Sequence, residues 1–513
     1  MMSEPNNFID AMLAGYQTKG ASLVLGAGMH DGNVFPEAIV QIPLKMLNRH
    51  GLIAGATGSG KTKTLQIIAE QLARQGVPSL LMDVKGDLSG IAAEAITNDK
   101  ITQRMEKIKI PFTPHASQVE FLSLSNEPGV RIRATVTEFG PILFSKILGL
   151  NETQQGVVAL IFKYCDDNSL PLLDLEDFKK TLQYLTNEGK QAITAQYGTI
   201  SPASTGTIMR KMLELEQQDA SIFFGEPSFD VSDLMRRTSD GEGIVSIIRL
   251  TDIQDKPKLF STFMLQLLAE VYSTFPEVGD LDKPKLVLFI DEAHLIFDEA
   301  SKTLLDQITT TIKLIRSKGV GIFFITQSPS DVPAAVLGQL GLKVQHALRA
   351  FTAKDRKDIK LTSENFPLSD FYNLNEIITN LGIGEALVTA LNEKGIPTPV
   401  VHTMLRAPES RMDILTSDEI NAINNQSHLI AKYNTTVDRV SAYEILSAKI
   451  QDALERTPPK ETTTGKSKDK SILQDVMEST TTRQIGRTVA RELTRGLLGV
   501  LGIKKGRGKS GWF

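Results

Sequence analysis

The nine residues 55–63, GATGSGKTK, constrain the fold of this chain more than any other stretch. They fit the spacing G-x-x-x-x-G-K-[ST], with Gly55, Gly60, Lys61 and Thr62 at its fixed positions. A short apolar run at 52–54 leads in, and Leu65, Ile68 and Leu72 follow at helical period. The order is strand, loop, helix. In such a loop Gly55, Gly58 and Gly60 let backbone N–H groups converge on an anion without obstruction from Cβ, and the helix turns its positive end to the same place. Ala56, Thr57, Ser59 and Lys63 complete the candidate phosphate cradle. Lys61 is expected to reach the β/γ-phosphates of a nucleotide, and the Thr62 hydroxyl to coordinate Mg²⁺.

Two further stretches pair with this loop. Residues 286–294, LVLFIDEAH, read as a buried strand that delivers two acids to the phosphate edge. Asp291 is expected to hold the Mg²⁺ water shell opposite Thr62, and Glu292 to orient or deprotonate the attacking water. Residues 320–328 repeat the pattern and end in Thr326 and Gln327, where a neutral amide can sense a γ-phosphate. A third apolar run, 79–84, ends in Asp83, Lys85 and Asp87. Ligands in open α/β sheets sit at that strand edge, so these charges are candidates for the site's rim.

Around these motifs the chain falls into segments. Residues 1–134 hold an N-terminal segment and the first part of an α/β core, with one strand expected at 21–25 among turn formers. From 135 to 237 the pattern is helical: Asn151 with Gln154 and Asp174 ahead of apolar stripes mark helix starts, and a further helix is expected at 207–217. The core resumes over 238–455, with strands expected at 243–250, 347–351 and 385–391 and helices at 257–275 and 304–318. Residues 456–470 lack apolar side chains almost entirely and read as a disordered linker, and 471–513 as a basic helical tail. There Arg483, Arg487, Arg491 and Arg495 share one helical stripe, and Lys504, Lys505, Arg507 and Lys509 follow.

Composition is that of a soluble globular protein, 41% hydrophobic and 23% charged over 513 residues. With a net charge of −4, contact with nucleic acid requires a local basic patch. Cys165 is the single cysteine, which excludes an intrachain disulfide and a cysteine-rich metal site. The first residues have no basic, apolar leader pattern, and no apolar run reaches the ~18 residues of a span, so a cytoplasmic location without membrane contact is expected.

Taken together, NRHGLIAGATGSGKT (48–62), LMDVKGD (81–87), LFIDEAH (288–294) and FFITQSP (323–329) resemble HerA/FtsK-type P-loop ATPases, and within them the bacterial HerA-like group that includes YjgR. The resemblance covers residues 21–406. It implies an α/β P-loop NTPase fold of the RecA/FtsK kind, a mostly parallel sheet flanked by helices, here with an inserted helical subdomain. It also implies ATP and Mg²⁺ as cofactors, a homo-hexamer, and double-stranded DNA as the substrate that a ring-shaped translocase moves. By the same resemblance Lys61 and Thr62 bind phosphate and Mg²⁺, Asp291 and Glu292 serve metal and water, Gln327 is the sensor, and an arginine acts in trans. Arg356 is the first candidate for that arginine and Arg316 the second. The chain departs from the archaeal pattern in leaving too little length for an N-terminal β-barrel, and in carrying the helical insertion and the basic tail. The letters DEAH do not make it a superfamily 2 helicase, because roughly 230 residues separate them from the phosphate loop and no length remains for a second motor domain. The alternative to a motor is an ATP-dependent switch or scaffold that acts on a protein partner through the insertion and tail.

Overall fold

The computed structural model describes residues 5–252, 256–279, 281–297, 302–437 and 439–455. Before the phosphate loop the chain forms helix α1 (Pro5–Tyr16) and a hairpin, β1 (Ser22–His30) and β2 (Asn33–Pro43), where the sequence pattern predicts one strand. Asp31 (φ 48°) and Gly32 (φ 78°) form a two-residue turn with both φ values positive, the geometry that suits a twisted hairpin. Gly26, just beyond the strand expected at 21–25, lies inside β1. A Cβ there would stand 2.0 Å from the Met404 carbonyl oxygen, so this glycine marks the close approach of a neighbouring strand rather than a turn.

That neighbour is β12 (Val401–Leu405), and it joins the hairpin to one twelve-stranded sheet. The remaining strands are β3 (Gly51–Ala54), β4 (Ser79–Asp83), β5 (Val119–Ser123), β6 (Val130–Arg131), β7 (Val245–Arg249), β8 (Leu286–Ile290), β9 (Val320–Thr326), β10 (Leu342–Gln345) and β11 (Glu385–Thr389). Their order is β2-β1-β12-β11-β10-β3-β9-β8-β4-β7-β5-β6. Every neighbour pair from β10 to β6 is parallel, and every pair from β2 to β10 is antiparallel. Each residue of β4, β8 and β9 is buried, as strands covered on both faces require, which is why their sequences are unbroken apolar runs. The strand expected at 347–351 is absent; β10 ends at Gln345, and beyond it the His346 N–H donates to the Ala54 carbonyl and the Ala347 carbonyl accepts from the Ala56 N–H.

Helix α2 (Lys61–Arg74) follows the loop. It ends where Gly76 takes φ 70°, with the Gly76 N–H donating to Ala73 and the Val77 N–H to Leu72, a Schellman arrangement that satisfies the last carbonyls. Helix α3 (Asp99–Ile108) starts at an Asn98 cap.

The chain divides into two compact units. The first, residues 5–132 and 230–434, contains the whole sheet and a core that includes Ile53, Leu81, Ile247, Phe289, Phe323 and Ile325. The second comprises 133–229 and the described residues from 435 onward. It is helical: α4 (Val136–Ile147), α5 (Glu152–Asp167), α6 (Leu175–Thr186), α7 (Lys190–Tyr197), α8 (Pro202–Glu216) and a last helix, Ala442–Glu455. Capping boxes at Thr135, Asn151 and Asp174 start α4, α5 and α6. Phe144 and Phe178 meet at 4.8 Å between ring centroids. The last helix is fastened to α6 by its Tyr443 N–H, which donates to Asp177 at 2.8 Å.

Candidate active site

Strand β3 lies between β9 and β10, so the phosphate loop emerges with a strand end on each side. The Gly55 N–H donates to the Thr326 carbonyl at 3.2 Å, and the Ala56 N–H to the Ala347 carbonyl at 2.8 Å. Gly55 has φ 151°, and a Cβ there would sit 2.5 Å from the His346 Cβ and 3.0 Å from the Ser59 Oγ, so any side chain would displace the wall behind the loop. Ser59 closes the loop on itself by donating to the Ala56 carbonyl at 2.7 Å. Thr57 and Gly58 are exposed at its mouth. The Lys61 ammonium folds back onto the carbonyls of Gly55 (2.7 Å) and Ala56 (3.2 Å), and burial, together with the nearby Lys85 ammonium, holds its pKa below the usual lysine range. Lys63 turns away, donating to the Met412 carbonyl at 2.5 Å and to Gln66 at 3.2 Å.

The acids arrive from β8 and from the turn after β4. Asp291 and Glu292 are both buried directly beyond β8. Burial and the adjacent Glu292 push Asp291 up to about 7. Glu292 takes φ 49°, a left-handed conformation that costs a non-glycine residue ~1–3 kcal/mol and clusters at functional sites. One carboxylate oxygen, Oε1, is paired with the Lys85 ammonium. The other, Oε2, lies 3.2 Å from His294 Nδ1 without a well-formed hydrogen bond. Of the three charges at the end of β4 and in the turn that follows, Asp83 serves the turn: its carboxylate accepts the N–H groups of Gly86 (2.7 Å), Asp87 (3.1 Å) and Leu88 (3.2 Å), and burial pushes it up to about 6. Lys85 and Asp87 reach the site. The Thr62 hydroxyl donates to Asp87 Oδ2 at 3.2 Å, while Asp87 Oδ1 is buried with no hydrogen-bond partner among the described residues.

Lys61, Thr62, Asp291 and Glu292 thus gather where the parallel strands end, with the β9 end against the loop. Over residues 32–506 the sequence matches the family Helicase HerA-like C-terminal. The chain belongs to the HerA-like helicase family. It is similar to Probable helicase MJECL08 of Methanocaldococcus jannaschii, 24% identical over 397 residues that span 70% of this chain and 66% of that one. It is also similar to the DNA double-strand break repair helicase HerA of Sulfolobus acidocaldarius, 21% identical over 70% of this chain and 66% of the relative. The chain therefore covers just under two thirds of the length of these relatives. Among solved structures it resembles the bacterial conjugative coupling protein TrwB, with a TM-score of 0.50 at 13% identity over 80% of this chain and 94% of that one. TrwB in complex with the non-hydrolysable ATP analogue ADPNP superposes at the same TM-score, with 14% identity over 78% of this chain and 99% of the other.

The remaining expected residues of this HerA-like chain are less closely placed. Gln327 is exposed one residue beyond Thr326, whose carbonyl meets Gly55. Arg356 is exposed on the helix Ala353–Glu364, and among the described residues no contact joins its side chain to the loop. Arg316 lies half-buried in the short helix Arg316–Lys318. Two supports have no signal in the sequence pattern. His346 backs the loop, its Nε2 at 2.8 Å from the Thr64 hydroxyl, and burial depresses its pKa to about 4, so it is neutral. Arg104 on α3 donates to the carbonyls of Ile383, Gly384 and Leu405, and the Gly384 N–H in turn donates to the Ser59 carbonyl of the loop. Neither belongs to a local pattern; each is defined by partners far away in sequence.

Proposed function

We propose that this chain is a Mg²⁺-dependent ATPase that works as a ring-shaped motor on double-stranded DNA, within the bacterial HerA-like group that includes YjgR. The observation that carries the ATPase reading is the convergence of Lys61, Thr62, Asp291 and Glu292 at one strand edge, beside the glycine-rich loop that opens α2. Residues 55–63 cradle the phosphates, and Lys61 leaves the Gly55 and Ala56 carbonyls to face the β/γ-phosphates. The residues present suit Mg²⁺: Thr62 and Asp87 stand together, Asp87 Oδ1 lacks a hydrogen-bond partner among the described residues, and Asp291 is a buried carboxylate. Thr62 and Asp291, with Asp87 beside them, would hold the ion, which when bound supplies charge neutralisation for the transferred phosphoryl group. Glu292 orients and deprotonates the attacking water, Gln327 reads the γ-phosphate from the β9 end, and Arg356 acts on a neighbouring subunit's nucleotide.

DNA as the track and the ring assembly rest on family membership and on the names of relatives such as the Sulfolobus acidocaldarius helicase. In this proposal 1–134 and 238–455 carry the motor core, except that the helix Ala442–Glu455 belongs with the helical insertion 135–237; 456–470 is a linker and 471–513 a tail that contacts phosphates. One experiment tests the motor against the switch or scaffold: ATP turnover with and without double-stranded DNA, alongside native mass with bound nucleotide. Stimulation by DNA in a hexamer is expected. DNA-independent turnover in a particle that never forms a ring would overturn the motor and favour the switch.

A further inference from the structure

We infer that Lys85 is a positioning residue that holds Glu292 while the site lacks a γ-phosphate and releases it by transferring to that phosphate when ATP arrives. This rests on the ATPase reading above. The Lys85 ammonium pairs with Glu292 Oε1, the carboxylate expected to take a proton from water. Glu292 is itself fixed, buried and left-handed at φ 49°, so its carboxylate has little freedom to leave the pair unaided. Lys85 has that freedom. Its side chain is 40% exposed, against 7% for Glu292, and a four-carbon stem can swing its ammonium while the backbone stays in place. The backbone does stay in place: Gly86 at φ 77° and the three N–H groups donated to Asp83 lock the turn that presents Lys85.

The second cation of the site is Lys61, itself parked on the carbonyls of Gly55 and Ala56, and Lys85 is the neighbouring charge that most disfavours its ammonium. Two neighbouring like charges are relieved together by a polyanion. A triphosphate offers its terminal oxygens to both, whereas a diphosphate ends at the group that Lys61 and the loop already hold. Glu292 and the γ-phosphate therefore compete for Lys85, and the base becomes free in the state that has something to hydrolyse.

Competition has a thermodynamic signature, so binding of a non-hydrolysable ATP analogue and of ADP, both with Mg²⁺, is measured on the full chain. Glu292→Gln removes the competing charge and keeps its shape; it should tighten the ATP analogue by about fivefold or more and leave ADP within about twofold, since a hydrogen bond to a charged group is strong. Lys85→Met should weaken the ATP analogue by about tenfold with a smaller effect on ADP, and Lys85→Arg, which keeps the charge, should retain most of the discrimination. In the double variant Glu292→Gln should no longer tighten the analogue, because the two act through one contact. An equal gain from Glu292→Gln with and without Lys85, or equal effects of Lys85→Met on ATP analogue and ADP, overturns the inference while leaving the ATPase intact. A wild-type chain that binds neither nucleotide overturns the ATPase reading itself.

Discussion

At Glu292 three features coincide on one residue: burial, a left-handed backbone and a lysine partner. Stability alone selects for none of them, since a buried acid in a strained conformation costs free energy that a small apolar residue would not. Glu292→Gln should keep ATP binding and lower turnover by at least about a hundredfold, within the usual contribution of a general base; lost binding would instead make Glu292 structural. Lys61 differs in kind, because its ammonium has backbone acceptors in place of an acid. Lys61→Ala should lower ATP turnover by about a hundredfold or more, the usual loss when one preorganised charge is removed. Turnover equal to wild type would remove Lys61 from the site.

Among the elements, α2 does more than point its N-terminus at phosphate. On its body Glu70 is buried and accepts from the Glu409 N–H (2.9 Å), the Ser410 N–H (3.1 Å) and the Ser410 hydroxyl (2.6 Å), which ties the loop's helix to the segment after β12. Burial is the larger influence, and with the nearby Glu409 charge it raises Glu70 to about 7 from 4.5 despite those hydrogen bonds. The folded chain then keeps this proton to a higher pH than the unfolded chain. Stability from this group is full below about 4.5, falls as pH rises to about 7 and is level above, by of order 3 kcal/mol. Glu70→Gln removes that titration, so the melting temperature of the variant relative to wild type should climb between pH 4.5 and 7 and then stay flat. A constant offset across the range would show that Glu70 does not change protonation there.

For the whole molecule, the described residues include no helix long and apolar enough to cross a membrane. The ring proposal makes the subunit the unit of test. If Arg356 serves a neighbour's nucleotide, mixing Arg356→Ala with Lys61→Ala subunits should restore part of the activity, because some interfaces then pair an intact loop with an intact arginine. Mixed rings of proper mass without recovery would count against Arg356. The linker and the tail, 456–513, with the stripe Arg483, Arg487, Arg491 and Arg495, lie outside the described residues. Should the tail hold DNA phosphates, affinity falls with salt with a log–log slope near −0.9 per phosphate neutralised. Truncation after Arg456 should then flatten that slope and leave basal ATP turnover unchanged, whereas an unaltered slope in a still-hexameric truncation would dismiss the tail as the DNA contact.

Local chemistry made much of this protein legible in its sequence. A phosphate loop needs particular residues at consecutive positions, and a buried parallel strand needs an unbroken apolar run, so residues 55–63, β4, β8 and β9 announce themselves. Helix starts at Asn151 and Asp174 follow for the same reason, since a cap bonds residues three apart. What depends on distant partners could not be read that way. Gly26 looks like any turn glycine until β12 lies 2.0 Å from where its Cβ would be. Residues 347–351 carry strand-like composition, yet the ladder with β3 ends at Gln345, because β3 itself stops at Ala54 and gives way to the loop, whose Ala56 N–H takes the Ala347 carbonyl. The pairing of Lys85 with Glu292 spans more than two hundred residues of chain, and that of Thr62 with Asp87 crosses from one strand end to another. The sequence determined which residues could do the chemistry; the order of strands in the sheet decided which of them meet, because side chains at neighbouring strand ends share a site however far apart they lie along the chain.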